Sequence, residues 1–258
     1  MMVALGVGMA DQSTTRLEVF RYHPDGDAGP TFQSYDVPYH DDWVVLDALN
    51  WIKDHSDGTL TYRWSCRMGV CGSCGMMVNG EPKLTCAVFL KDYHPNPIRV
   101  EPLTNFPVER DLVVTMDAFL EKLQAVKPYI IRDDVNDTEG GEFRQSPAEL
   151  ARYKQYSMCI NCMLCYAACP VMGSEPEFLG PAALALGHRY NRDSRDRGGI
   201  QRLDKMMEHE AVWGCTFVGE CSVVCPKNVD PAGAIQQAKA AAAQQYFKGF
   251  IFPKGAGS

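Results

Sequence analysis

The sequence has no run of the roughly 18–20 consecutive apolar residues that a membrane-spanning helix needs. If the chain works at a membrane, another subunit must hold it there. Basic charge is also scarce: 25 Lys and Arg stand against 32 Asp and Glu, a net charge of -7. Phosphate binding needs the opposite sign, so nucleic acid is excluded as a partner. No Walker loop, Rossmann glycine fingerprint or H-E-x-x-H motif occurs, and none of the 6 histidines stands in a Cys-His cluster. Nucleotide hydrolysis, dinucleotide binding, zinc-hydrolase chemistry and a Rieske centre are therefore unsupported. The opening MMVALGVGMA is apolar but short and has no basic residue before it. It reads as a loose tail, failing both as a signal peptide and as a span.

Cysteine, by contrast, is abundant. The chain has 11 cysteines, an odd number that cannot be fully paired as disulfides, and they fall in tight groups. Without a secretory signal the compartment should be reducing, which favours metal ligation over disulfides. A composition of 46% hydrophobic and 22% charged residues over 258 positions is that of a folded protein with room for two domains.

The first half reads as a small sheet with one helix. TTRLEVFRY, QSYDVPY and IRVEPL have strand character, while VVLDALNWIKDH has helical spacing with Val44, Leu46, Leu49 and Ile52 as core candidates. Asn79-Gly80 signals a tight hairpin turn, and strands wrapped round a helix suggest a β-grasp. After PLTNFPVERD the character changes: VVTMDAFLEKLQAV reads as a helix and RDDVNDTEGGEFRQ as a charged connection. Ser146-Pro147-Ala148-Glu149 has the form of a capping box with proline at the first helical position. GPAALALGHRY and PAGAIQQAKAAAAQQYF, the latter behind Asp230 as N-cap, make the second half mainly helical.

The first cysteine group is Cys66-x4-Cys71-x2-Cys74, with Cys86 beyond it. This order is the plant-type pattern for a [2Fe–2S] cluster, in which two irons need two thiolates each. Gly69, Gly72 and Gly75 suit a loop whose amides must turn toward sulfur. A zinc knuckle is the competing reading, but a four-residue gap followed by a two-residue gap is unusual for one tetrahedral ion.

The second group, Cys159-x2-Cys162-x2-Cys165-x3-Cys169-Pro170, is a complete bacterial-type run, and Cys215, Cys221 and Cys225-Pro226 repeat it with Val218 in place of the second cysteine. In two-cluster ferredoxins the fourth cysteine of each run ligates the other cluster. Cys159, Cys162, Cys165 and Cys225 are thus expected to hold a [4Fe–4S] cluster, and Cys169, Cys215 and Cys221 the second. A cubane corner without a ligand loses its iron, so the three-thiolate site suits [3Fe–4S]. Four, four and three ligands use every cysteine. Such a chain carries electrons, and no catalysis is expected from it alone.

The stretches YRWSCRMGVCGSCGMMVNGEPKLTC, NFPVERDLVV, KPYI, CINCMLCYAACP, GPAALALGHRYNRDSRD and CTFVGECSVVCPKNVDPAGAIQQ resemble the iron–sulfur subunit of the succinate dehydrogenase and fumarate reductase family, from about Thr15 to Phe247. The resemblance implies an α+β chain: a tail over 1–13, a plant-type [2Fe–2S] ferredoxin β-grasp domain over 14–116, and an α-helical bacterial-type two-cluster domain over 117–258. It further implies a flavoprotein partner holding FAD, membrane anchor subunits, and quinone as the far redox partner, at the cytoplasmic face of a bacterial plasma membrane. Within the family the chain looks closer to the menaquinone-linked, fumarate-reductase-like branch, because VMGSEPEF after Cys169-Pro170 lacks tryptophan and Thr216-Phe217 follow Cys215. Gln236 and Lys239 match quinone-pocket positions of that branch, and their spacing puts them on one helix face. Menaquinone is accordingly expected at the subunit interface, near Thr216, Phe217, Gln236 and Lys239.

Three plainer expectations complete the reading. Arg189, Arg192, Arg195, Arg197 and Arg202 interleave with Asp193 and Asp196, which favours a salt-bridged or solvated segment over a lipid-binding patch. Trp64 and Trp213, each two residues before a ligand cysteine, should pack so as to shield clusters from water. FKGFIF at 247–252 offers aromatic residues to a partner, which a freestanding soluble polyferredoxin, the alternative reading, would not need.

Overall fold

A computed structural model describes residues 13–26, 29–134 and 140–251, with side chains described as far as 247. The expected tail falls almost wholly outside them, and of FKGFIF only the side chain of Phe247 is described. The chain divides into two compact units. One comprises the residues up to Pro102 with Val108–Val114, the other Leu103–Pro107 with Thr115 onward.

In the first unit the elements run β1 (Thr14–Arg21), β2 (Thr31–Pro38), helix α1 (Val45–His55), β3 (Gly75–Val78), β4 (Glu81–Leu84) and β5 (Ile98–Glu101). They form a mixed five-stranded sheet in the order β2-β1-β5-β3-β4. Strand β1 lies antiparallel to β2 and parallel to β5. The parallel pair requires a long crossover, and that crossover contains α1 and the cysteine loop. Alternation buries Thr15, Leu17 and Val19 on one face of β1, against Val45, Leu49 and Ile52 of α1 in a single apolar core. Val44 is not a core position. It is the N-cap of α1, half-buried, and Val45 and Ala48 take the interior face instead. Asn79 and Gly80 both adopt positive φ (49° and 80°), the geometry of the tight turn joining β3 to β4.

A small hairpin, β6 (Val108–Arg110) and β7 (Val113–Val114), turns at Asp111. The Asp111 carboxylate is buried and accepts from the amides of Tyr22 and Thr61 and from Arg21 Nε at 3.0, 2.9 and 3.1 Å. The strand at Val113–Val114 shortens the next helix, which the sequence pattern extends back through both valines.

The second unit holds α2 (Asp117–Ala125), α3 (Pro147–Ala151), α4 (Leu164–Ala167), α5 (Pro170–Ser174), α6 (Pro181–Asn191), α7 (Gly199–Met206), α8 (Glu220–Val223) and α9 (Pro231–Ile251). The Ser146–Glu149 capping box forms as the sequence predicts. Asp230 Oδ1 accepts from Gly233 N at 2.9 Å and so caps α9. The arginine segment is more than a solvated face: Arg202 is fully buried, bonds Asp196 at 2.6 and 2.7 Å, and donates to the carbonyls of Lys127 and Tyr129 at 2.9 and 2.6 Å. Asp193 takes Arg189 and Arg195 at 3.2 and 2.9 Å. These pairs fix the 191–202 segment against the Lys127–Ile131 stretch.

Candidate metal centres

The loop carrying Cys66, Cys71 and Cys74 is shaped by backbone amides aimed at sulfur. Cys66 Sγ accepts from the amides of Met68, Val70 and Cys71 at 3.4, 3.3 and 3.3 Å, and Cys86 Sγ from Gly69 at 3.3 Å. Left-handed backbone at Arg67, Gly69 and Gly72 (φ 58°, 67° and 77°) turns those amides inward. Arg67 was not legible as such a position. Gly75 is not one: it begins β3, paired with Leu84. The amides of Met68, Val70 and Cys71 hold the Cys66 thiol down to about 6, which favours the thiolate a metal binds. Burial pushes the Cys86 thiol up to about 11, with Cys74 and Cys66 adding to it as close neighbours.

The two later runs share one backbone design. A 3₁₀ turn, Tyr156–Met158 or Val212–Gly214, leads into Cys159 or Cys215. Left-handed residues follow at matching places, Asn161 and Met163 (φ 54° and 66°) and Phe217 and Gly219 (φ 60° and 92°). Short helices α4 and α8 then start and carry Cys165 and Cys221 at their second positions.

Thiols from both runs line two separate hollows. Cys159, Cys162, Cys165 and Cys225 line one hollow, and Cys169, Cys215 and Cys221 line another, together with Val218. Burial, then the neighbouring Cys159 and Cys225, push the Cys162 thiol up to about 11. Burial, then Cys169, does the same to Cys221. Cys165, raised mainly by burial, senses Cys221 as well as its own set. Thiols so disfavoured as anions fit a positively charged iron core that would stabilise their thiolate form. Among the described residues no group of three His, Cys, Asp or Glu is placed to hold a single metal ion.

Thr216 and Phe217 line the three-thiol hollow beside Val218. Gln236 and Lys239 do not line it. Lys239 Nζ donates instead to the Cys215 carbonyl at 2.8 Å, and Gln236 Nε2 is buried without a partner in the chain. The tryptophans do not act as shields within their units: Trp64 is 41% and Trp213 48% exposed, with Arg67 stacked on the Trp64 ring. One supporting residue escaped the sequence reading. Asn105 Nδ2 donates to the carbonyls of Tyr166 and Cys169 at 2.9 and 3.1 Å, closing the end of the first run. Its only sequence signal is position within NFPVERD.

A loop of plant-type spacing on a mixed sheet, followed by crossed cysteine runs on short helices, defines a two-domain iron–sulfur electron carrier. Family models agree: a 2Fe-2S iron-sulfur cluster binding domain matches residues 16–121, and a 4Fe-4S dicluster domain matches residues 155–229. The fumarate reductase iron-sulfur subunit of Mycobacterium tuberculosis (strain CDC 1551 / Oshkosh) is 59% identical over 241 residues, 93% of this chain and 98% of that one. The same subunit of Haemophilus influenzae is 51% identical, covering 96% of this chain and 100% of its own. The succinate dehydrogenase iron-sulfur subunit of Coxiella burnetii is 38% identical, covering 85% and 93%. Among solved structures, a chain of the Mycobacterium smegmatis Sdh1 complex in the apo form superposes with a TM-score of 0.82 at 26% identity, covering 92% of this chain and 98% of that one. The chain belongs to the iron–sulfur subunits of fumarate reductase and succinate dehydrogenase, and it transfers electrons as part of that oxidoreductase complex. The freestanding polyferredoxin reading is thereby set aside. No helix among the described residues is long and apolar enough to cross a membrane.

Proposed function

We propose that this subunit carries electrons between the FAD of a flavoprotein partner and menaquinone held at a membrane anchor, on the cytoplasmic face of a bacterial plasma membrane. Cys66, Cys71, Cys74 and Cys86 hold a [2Fe–2S] cluster, Cys159, Cys162, Cys165 and Cys225 a [4Fe–4S] cluster, and Cys169, Cys215 and Cys221 a [3Fe–4S] cluster. The clusters supply one-electron redox chemistry when bound. The chain's own part is to gather the thiols, aim amides at Cys66, Cys86 and Cys215, and keep solvent from the deeper sulfurs. Thr216, Phe217, Gln236 and Lys239 form this subunit's side of the quinone pocket, where a buried, unpartnered amide on Gln236 has a hydrogen bond to give.

The observation that carries the trinuclear assignment is Val218. It stands at the place in the second run that Cys162 fills in the first, and lines the same hollow as Cys169, Cys215 and Cys221. The menaquinone assignment draws on the higher identity to fumarate reductase subunits, 59% and 51%, than to the succinate dehydrogenase subunit at 38%. The test is to purify the complex from membranes, identify its subunits, and assay succinate oxidation and fumarate reduction with menaquinone and ubiquinone analogues. A complex without a flavoprotein, or one reacting with ubiquinone analogues alone, contradicts the proposal. The purified chain by itself should show no succinate–dye turnover, since it assembles no acid–base pair around a flavin site.

A further inference from the structure

Cys165 and Cys169 stand four residues apart and line different hollows, so the chain between them must turn one sulfur to each. Helix α4 ends at Ala167, Cys169 is extended (φ -84°, ψ 117°) as the N-cap of α5, and Pro170 opens α5 with no N–H to give. A four-residue helix has too few internal bonds to hold that junction by itself. Asn105, 64 positions before Cys169, supplies the rest: its Nδ2 donates to the carbonyls of Tyr166, Cys169 and Ala167 at 2.9, 3.1 and 3.3 Å, two protons shared among three acceptors. Thr104 Oγ1 adds a bond to Ala167 O at 2.8 Å. The segment Leu103–Pro107 that carries both side chains belongs to the second unit, although the residues on either side of it belong to the first. Asn105 sits at φ 66°, a left-handed conformation that glycine and asparagine tolerate best. A Cβ at Gly173 of α5 would stand 2.9 Å from Asn105 Oδ1, so the glycine leaves the amide its place.

Resting on the assignment of Cys169, Cys215 and Cys221 to a trinuclear centre, we propose that Asn105 is a positioning residue, seated by Gly173, that holds the Cys169 sulfur toward the three-thiol hollow and so limits how readily that centre comes apart. A site with three thiolates keeps only two when Cys169 swings away, whereas the four-thiol site keeps three after losing one. The trinuclear centre is therefore the one that a loose α4–α5 junction exposes. Asn105 is itself exposed, and water competes for the carbonyls it bonds. Its amide thus shifts a local opening equilibrium by about one hydrogen bond and does not decide whether the unit folds.

The test incubates the oxidised, membrane-purified complex with EDTA and follows the decay of the trinuclear electron paramagnetic resonance signal, with the tetranuclear signal read after reduction of parallel samples. Asn105→Gly keeps the left-handed backbone and removes only the amide, so its trinuclear signal should decay about fivefold faster than wild type, the worth of one hydrogen bond. Asn105→Asp turns the donor into an acceptor facing three carbonyls and should decay at least about tenfold faster. Gly173→Ala ordinarily favours a helix, yet here its methyl displaces the Asn105 amide, and it should decay as Asn105→Gly does. Thr104→Val loses a bond to Ala167 but none to Cys169, and should stay within about twofold of wild type. In every variant the tetranuclear signal should persist as in wild type. If Asn105→Asp fails to assemble, Asn105→Gly and Gly173→Ala carry the test. Wild-type decay in either of those two overturns the proposal, as does Thr104→Val decaying as fast as Asn105→Gly, or the trinuclear and tetranuclear signals falling together. Absence of a trinuclear signal in wild type overturns the ligand assignment itself, and this proposal with it.

Discussion

The runs 159–170 and 215–226 have the same backbone and different side chains. Both place a 3₁₀ turn, two left-handed residues and a four-residue helix round a hollow. The first packs its positions inward: Cys162 and Met163 are 9% and 4% exposed, and Tyr166 after Cys165 is buried against Phe119. The second opens them to solvent: Val218, at the place of Cys162, is 58% exposed, Gly219, at that of Met163, is half-buried, and the residue after Cys221 is the small Ser222. The cradle is set by the need to turn amides and sulfurs inward, whereas ligand count and shielding are set residue by residue. Met163 accepts a left-handed conformation that costs about 1–2 kcal/mol for a residue with a Cβ, where its counterpart Gly219 is free of that cost.

The largest effect expected from breaking this comparison is at Tyr166. Its ring packs edge-on against Phe119 at 4.9 Å, its hydroxyl donates to Leu179 O at 2.5 Å, and Gly180 leaves the space it fills. Tyr166→Ala should cost about 3–5 kcal/mol, read as the urea midpoint of the assembled protein. A loss under about 1 kcal/mol would mean the ring does not hold the first run in place.

Next comes a pH effect confined to the first run's surroundings. His188 is buried edge-on against Tyr156, and burial, with Arg192 adding, holds it down to about 4. Its ordinary value is about 6.5, so the unfolded chain takes up a proton that the folded chain resists. The stability from neutral His188 is complete above about pH 6.5 and is lost as pH falls toward 4, on the order of 3 kcal/mol in all. Unfolding midpoints of wild type and His188→Leu, compared between pH 7 and 5, should converge as the pH drops. Parallel curves would remove His188 from the account.

The smallest effect belongs to the second run. Ser222 Oγ donates to Asp230 Oδ1 at 2.6 Å and accepts from Ala232 N at 3.1 Å, joining α8 to the start of α9. Ser222→Ala should cost about 1 kcal/mol by the same midpoint measurement, since the site is half-exposed and water can replace the hydroxyl. A loss as large as that of Tyr166→Ala would mean that both runs depend equally on buried packing, contrary to the contrast drawn between them.

Much of this comparison was legible in the sequence because spacing reports backbone geometry directly. The Asn79-Gly80 turn, the Ser146 capping box and the Asp230 cap each follow from local rules that tertiary contacts did not override. What spacing could not convey was contact between distant segments. Asn105 closing the first run, Arg202 buried beneath Lys127 and Tyr129, and Lys239 on the Cys215 carbonyl all depend on chain brought together from far apart. The exposure of Trp64 and Trp213 was misread for the same reason, since adjacency to a ligand says nothing about what covers the ring.

The central claim is that the second run is a cubane site with one ligand withdrawn at Val218, and Val218→Cys tests it most directly. Restoring a thiol at that spacing should let the site hold a fourth iron. In the assembled complex, the oxidised trinuclear electron paramagnetic resonance signal should disappear, a second tetranuclear signal should appear on reduction, and quinone turnover should slow as the added thiolate lowers the potential. An unchanged trinuclear signal in a folded, fully assembled Val218→Cys complex would show that position 218 does not face the empty corner, and the assignment of Cys169, Cys215 and Cys221 would fall.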